Sequence, residues 1–339
     1  MTVKIEKTFS LVLTLLFAVL FAAAPVVAGD CNSENDEAVF EMPVYDVQKM
    51  YIYNTTFDQF APYRIGQEAV LYWGDTARID GSKYYVSNIV KIGGEEINYF
   101  EVDNKNKDLS LKGIVDIIGP ITFMDLTFEP ESLFYDYPLY SGKTWVRETV
   151  NFSGTVWMMG SSVNVTGTTW GLASVTGDET ISVPGGDIHC LVVETTMDSL
   201  IPMDHMSMYM NTSEKIWLME DGFFAKRQLY KDGALIEELE LKSTSATVTL
   251  KPETLNLKSK GVFTAIIELQ EHDVADVNLN TVECEGAPAV DGSIEGGRLV
   301  VKFSTQDLDV APGDGVLLTV TGELNDGTPF GGWDRVDLI

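Results

Sequence analysis

Thr149-Val150-Asn151-Phe152-Ser153-Gly154-Thr155-Val156 alternates polar and apolar residues along most of its length. That is the period of a β-strand with one face in a core and the other in water. Val163-Asn164-Val165-Thr166 and Thr247-Val248-Thr249-Leu250 repeat the pattern and are rich in β-branched residues, which suit a pleated surface. Turn pairs punctuate such runs: Asp80-Gly81, Gly93-Gly94, Pro184-Gly185-Gly186, Asp221-Gly222 and Asp232-Gly233. Only residues 126–136 and 304–310 leave room for a short helical turn. An apolar content of 45% with 10% aromatics is enough for packed cores. The expected class is all-β and antiparallel throughout.

Two domains are expected. The small, polar Ser243-Thr244-Ser245-Ala246-Thr247 and the restart at Lys251-Pro252-Glu253 place a boundary within residues 243–252. Residues 250–339 then carry strand-like segments at the density of an immunoglobulin-like β-sandwich. Alternation assigns Leu255, Leu257, Ile267, Val277, Leu279, Val301, Phe303, Leu318 and Val320 to its interior. Residues 40–245 form the larger antiparallel domain. Within it, Pro62 to Val70 is echoed by Pro138 to Val146, each with proline and glycine four apart before a strand. Tyr99 to Gly113 is echoed more loosely by Tyr209 to Gly222. Two copies of one β-meander would explain the echo.

The start of the chain reads as an export signal. Lys4 and Lys7 precede the apolar run Leu11 to Ala24, and Val26-Val27-Ala28 supplies small residues for cleavage after Ala28. Asp30 before Cys31 disfavours a lipid-modified cysteine. Residues 1–28 are therefore expected to be removed, with no transmembrane segment left behind. The formal net charge is −28. Such a surface repels phosphate, so nucleic acid is excluded as a direct partner. Cys31, Cys190 and Cys284 allow at most one disulfide, and which pair would form it is open.

Three stretches carry a resemblance: Pro138-Leu139-Tyr140-Ser141-Gly142-Lys143-Thr144-Trp145, the run Glu179 to Glu194 containing Val183-Pro184-Gly185-Gly186, and Lys215 to Arg227. Together they resemble an uncharacterised family of exported bacterial and archaeal proteins, often lipoproteins, whose domain is related to lipoprotein-carrier half-barrels. The resemblance implies a curved, half-barrel-like sheet and no catalytic residue. This chain departs from the family's proline-containing hairpin at Trp217-Leu218-Met219-Glu220-Asp221-Gly222. Lys251 to Asp337 is similar to a β-sandwich module of archaeal surface proteins.

Candidate sites are few. The chain has no HExxH, GxSxG or P-loop motif and only three histidines, so no enzyme activity is expected and no cofactor is assigned. Met203-Asp204-His205-Met206-Ser207-Met208-Tyr209-Met210 stands out. Thioethers with an imidazole suit Cu(I), which makes Met203, His205 and Met206 a candidate metal set. On a strand, however, Met206, Met208 and Met210 share one face and His205 takes the other. With Trp217 these three methionines are the candidate wall of a ligand cavity. The aromatic residues Tyr51, Tyr53, Tyr72, Trp73, Tyr84, Tyr85, Trp145, Trp157, Trp170 and Trp217 could form a carbohydrate platform or, more commonly in β proteins, core pairs. Asn54, Asn151, Asn164 and Asn211 are N-glycosylation sequons. The expectation is a non-catalytic extracellular or cell-surface binding or structural protein whose partners are surface components. A carrier of a hydrophobic small molecule is the alternative, and copper binding a further one.

Overall fold

The computed structural model describes residues 38–45, 49–158, 160–203, 206–269 and 272–339. The expected leader and Cys31 lie outside these. In chain order the first strands are β1 (Val39–Phe40), β2 (Lys49–Asp58), β3 (Glu68–Ile79), β4 (Ser82–Lys91), β5 (Gly94–Asp103), β6 (Asp108–Ile118) and β7 (Ile121–Asp136). Next come β8 (Leu139–Tyr140), β9 (Thr144–Met158), β10 (Ser161–Val183), β11 (Gly186–Met203), β12 (Met206–Leu218), β13 (Phe224–Lys231) and β14 (Ala234–Leu241). The last eight are β15 (Thr244–Lys251), β16 (Thr254–Leu255), β17 (Val262–Leu269), β18 (Val277–Cys284), β19 (Ala287–Glu295), β20 (Arg298–Ser304), β21 (Gly313–Leu324) and β22 (Pro329–Leu338). The expected all-β class is the observed one. Residues 126–136, where a helical turn was allowed, lie instead within β7, because Met124, Leu126 and Phe128 alternate inward with exposed Asp125, Thr127 and Glu129. A single 3-10 turn, Thr305–Asp307, forms in the second such region.

The expected half-barrel goes further and closes. β2 to β7 and β9 to β14 form one barrel in the order β10-β11-β12-β13-β14-β2-β3-β4-β5-β6-β7-β9, and β9 pairs back onto β10. The opening stretch lies in β9: Val150, Phe152 and Val156 are buried, while Thr149, Asn151 and Ser153 are exposed. Gly154 marks a close approach of backbones. A Cβ there would sit 1.9 Å from the Asp125 carbonyl oxygen on β7, so only glycine permits the β7–β9 ladder to run through this point. A strap, residues 38–45, crosses one end of the barrel. Its β1 pairs with β8, and Tyr45 packs 4.8 Å from Trp73 and shares a 2.9 Å hydrogen bond with Tyr137. Both members of the clearer sequence echo lead into a barrel strand, β3 and β9. The looser pair matches less well, since Tyr99 to Gly113 spans the β5–β6 hairpin whereas Tyr209 to Gly222 covers the end of β12 and the turn after it.

β15 to β22 form a sandwich. One sheet runs β15-β17-β20-β19 and the other β18-β21-β22-β16, the ABED/CFG arrangement of a constant-type immunoglobulin fold with a short strand added. β15 is antiparallel to β17 and, through Thr244 and Ser245, parallel to β22. Leu255, Ile267, Val301, Phe303, Leu318 and Val320 are buried in its core, and Leu257, Val277 and Leu279 pack on its rim. The sandwich therefore begins at Thr244, upstream of the expected start at residue 250. The small polar stretch read as a boundary is its first strand, and Ser245, Ala246 and Val248 are buried in it. Cys190 and Cys284 are buried free thiols in separate cores, so they do not pair with each other.

Almost no linker separates the two bodies. The Ser243 hydroxyl accepts from the Ile52 amide at 2.6 Å, and the Lys242 and Ser243 amides donate to the Ile52 carbonyl. Met50 lies against Gly331, where a Cβ would meet its Cε at 2.2 Å. Trp333 is buried, with Nε1 3.4 Å from the Lys49 carbonyl and its ring 5.7 Å from that of Tyr72. A fragment of residues 243–339 is expected to give a dispersed amide NMR spectrum. A fragment of residues 249–339 loses the buried Ala246 and Val248 and is expected to give a collapsed one. Equal dispersion from both would contradict this placement of the boundary.

Candidate functional site

The chemistry of the barrel lies inside it. On β12 alternation turns Met210, Thr212, Glu214, Ile216 and Leu218 inward, and all are buried. On β13 the same phase brings in Ala225, Arg227 and Leu229. β5 contributes Glu96, Asn98 and Phe100. Each charged residue is thus carried inward by a strand whose other inward positions are mostly apolar.

These side chains line two small chambers. One, about 60 Å³, has aromatic walls from Trp73, Phe100, Phe134, Tyr135 and Phe224 and polar groups from Glu96, Asn98, Glu214 and Arg227. Trp73 stacks on Phe100 at 5.1 Å, and Phe134 meets Phe100 edge-on at 5.2 Å. The other, about 80 Å³, is lined by Asp58, Arg64, Lys91, Glu95, Asp116 and Glu237 among others. Ile89 and Glu96 line both and form the partition. Asp58 also accepts from the Phe60 and Ala61 amides at 3.0 and 2.7 Å, fixing the 3-10 turn Pro62–Arg64 at this mouth.

Arg227 organises the charges. Its Nε donates to Glu214 Oε1 at 2.5 Å, and its Nη1 lies 4.0 Å from Glu237 Oε2. Burial opposes its charge, but Glu214, Glu96 and Glu237 outweigh that and hold it firmly protonated. Burial likewise opposes ionisation of Glu237, yet Lys91 and Arg227 pull its pKa below the usual range. Asp116 lacks so close a partner, so burial, helped by Glu96, raises its pKa to about 6. Asn98 Nδ2 donates to Glu96 Oε1 at 2.9 Å. Glu214 Oε2 and Asn98 Oδ1 are buried without a hydrogen-bond partner among the described residues.

The methionine segment lies elsewhere. Met210 is buried in the barrel core and Met208 packs at its margin, and neither lines these chambers. The candidate cavity wall of Met206, Met208, Met210 and Trp217 is not one surface. Trp217 has the opposite phase on β12, and its indole donates to Glu179 with Lys215 and Lys226 Nζ 5.0 and 5.7 Å from its ring centroid. Of the candidate metal residues, His205 lies outside the described residues. Met203 and Met206 are described in backbone only, paired with each other across β11 and β12. The aromatic candidates Tyr51, Tyr53, Trp73, Tyr84, Trp145 and Trp217 are buried, which spends them on packing. Asn151 and Asn164 are exposed, Asn54 is half-buried, and Asn211 donates to Asp198 at 2.9 Å.

Elsewhere a groove of about 560 Å³ runs past the strap and includes Lys49, Tyr51, His189 and Asp221. Asp221 accepts from Lys49 at 3.0 Å and from Tyr51 at 2.7 Å, while His189 pairs with Asp178 at 3.1 Å on an exposed face. The interior charges were missed because a carboxylate at an inward phase reads as solvated. The available signal was the phase itself, with Glu214 two residues from Ile216 and four from Met210 and Leu218.

The raised pKa of Asp116 has a defined consequence. Between about pH 4 and pH 6 the folded chain retains a proton that the unfolded chain has released, so this group's contribution to stability falls as pH rises through that window. Asp116→Asn is expected to raise stability by about 2 kcal/mol at pH 8 and to change it little at pH 4. Urea unfolding of both chains at the two pH values checks this.

No family model matches the chain, and no curated protein matches it. Among solved structures it is similar to a Bacteroides fragilis protein inferred to be exported and described as having a YmcC-like fold. The two share 12% identity with a TM-score of 0.33, over 60% of this chain and 98% of that one. At that score the likeness carries no argument about this chain.

Proposed function

We propose that the chain is an exported, non-catalytic protein of the cell surface or extracellular space, in which barrel and sandwich serve as a binding and structural unit. The observation that carries this reading is the filled barrel. Its two interior chambers measure about 60 and 80 Å³, against the roughly 300–1,000 Å³ of pockets for drug-sized ligands, and the larger hollows of about 410 and 560 Å³ are open grooves. Long acyl chains would have to displace buried aromatics such as Phe100, Phe128 and Phe152, each worth about 1.5–3 kcal/mol in place. Two of the buried carboxylates are committed to ion pairs, Glu214 to Arg227 and Glu237 to Lys91, which supports a structural use for that pair of groups; Asp116 is not so committed. Export is supported by the Lys4 to Ala28 pattern, and exposed Asn151 and Asn164 are the sequons best placed for glycans. Among the described residues no helix is long and apolar enough to cross a membrane.

The carrier reading makes the opposite forecast. Protein purified from its own host is expected to begin at Gly29 and to release no stoichiometric lipid into organic solvent, as read by N-terminal sequencing and mass spectrometry. One acyl-chain ligand per protein would replace the structural reading with the carrier. Copper binding is tested separately. Met206→Leu with Met208→Leu is expected to change stability by less than about 1.5 kcal/mol, methionine and leucine being close in volume. Cu(I) affinity, measured against a competing chelator, is expected to be weak and equal in parent and variant. Tight binding lost in the variant would make the segment a metal site.

A further inference from the structure

We propose that one end of the barrel docks on the surface of a neutral lipid bilayer, with Tyr63, Ile65 and Ile92 entering the zone between headgroups and acyl chains. This goes beyond the structural reading and does not depend on it. The first support is placement. The barrel strands run antiparallel, so the turns after β2, β4 and β6 all emerge at one end. The sandwich leaves from the other end, after Leu241 and against Met50. The three turns form one rim. The Gly119 amide donates to the Gly93 carbonyl at 3.0 Å, and Arg64 Nε donates to the Ile92 carbonyl at 3.0 Å. A Cβ on Gly93 would lie 3.5 Å from the Tyr63 hydroxyl.

The second support is what this rim shows to solvent. Tyr63 is 60% exposed, Ile92 51% and Ile65 45%. Pro62 and Pro120 are exposed beside them, and Ile118 and Ile121 are partly so. Large apolar side chains gathered at a free end mark a contact surface. Charge selects the medium. Of 339 residues 51 are acidic, yet residues 59–66, 92–94 and 118–121 hold no carboxylate. The flanking Asp58, Glu95 and Asp116 line the chamber beneath, and Glu68 is paired with Lys242. Arg64, the one charged residue of these turns, lies 3.5 Å from Asp58. A basic protein partner finds nothing to pair with here, and a chain of net charge −28 is repelled by an anionic membrane.

The third support is the backbone. Lipid penalises unpaired N–H and C=O groups. The amides of Arg64, Ile65, Gly66 and Gln67 donate to the carbonyls of Ala61, Pro62, Thr55 and Arg64. With the Ile92 and Gly93 carbonyls also used, the rim can shed water at little cost. A tyrosine, apolar in body and polar at its tip, suits the level of the headgroups.

The test sediments the full chain with phosphatidylcholine vesicles. Saturable cosedimentation is expected, changing less than twofold between about 0.1 and 0.5 M sodium chloride because no charge attraction drives it. Binding to phosphatidylglycerol vesicles at the lower salt should be at least threefold weaker. Ile65→Glu with Ile92→Glu should weaken binding to phosphatidylcholine at least tenfold in a chain with parental circular dichroism. Val262→Glu, at an equally exposed position in the sandwich, should leave it unchanged. If the double glutamate variant misfolds, Ile65→Ser with Ile92→Ser decides, with a loss of at least threefold expected. The proposal is overturned if the parent does not sediment with phosphatidylcholine, if the rim variants bind like the parent, or if Val262→Glu loses as much as they do. Tighter, salt-sensitive binding to phosphatidylglycerol would overturn it as well. A lipid-free dimer that the double glutamate variant disperses, in a chain indifferent to vesicles, would assign the rim to a second copy instead.

Discussion

Closure of the backbone ladder is the constraint on which the rest of the barrel depends. An open sheet of this length would present two rows of unpaired N–H and C=O groups, a template for aggregation. The pairing of β9 with β10 removes both edges. Once the ring is closed, every inward side chain must be accommodated in a fixed interior. Stretches of β7 and β9 meet that demand by alternation, whereas β10 buries Ala173 to Val175 and β11 buries Cys190 to Val193 in succession, and glycines such as Gly154 let backbones approach. The sandwich solves its edge problem differently, with β15 shared between its two sheets.

The interior that closure creates is not uniformly apolar. Phe128, Phe152 and Leu111 fill one part, and a set of ionisable groups around Arg227 fills another. Removing one member of such a set leaves the remainder buried and unpaired, which costs about 3–5 kcal/mol, whereas an apolar replacement of the whole set is often neutral. Stability alone therefore does not call for Glu214 and Arg227. Their pairing holds β12 and β13 in one inward register.

Much of this was legible in the residues. The alternation in Thr149 to Val156 and Thr247 to Leu250 predicted strands, and the interior of the sandwich followed from phase alone, Ile267, Phe303 and Val320 among them. Three things were not legible. Closure depends on β9 meeting β10 along a hairpin, and alternation is the same in a half-barrel as in a barrel. The start of the sandwich was masked because Ser243 to Ala246 has the small polar composition of a linker, yet these residues are buried by close packing against β2 and β22. The chamber was hidden because Glu96 and Asn98 on β5 are far in sequence from Glu214 on β12, so only the three-dimensional register brings them together.

The seam between β2 and the sandwich has a mechanical meaning. β2 is a staple of the barrel wall, paired with β3 from Lys49 to Asn54 and with β14 from Tyr53 to Asp58. It also receives Ser243, Gly331 and Trp333 from the other body. A force applied to the sandwich enters the barrel at β2, at the Tyr72 ring on β3 and through the chain link from β14, and the antiparallel ladders on either side of β2 resist it in shear. Bonds loaded in shear share the force, whereas bonds peeled from an end break in succession. The molecule is thus built as a stiff arm fixed to a hoop, able to pass tension from one end to the other without a flexible joint to absorb it.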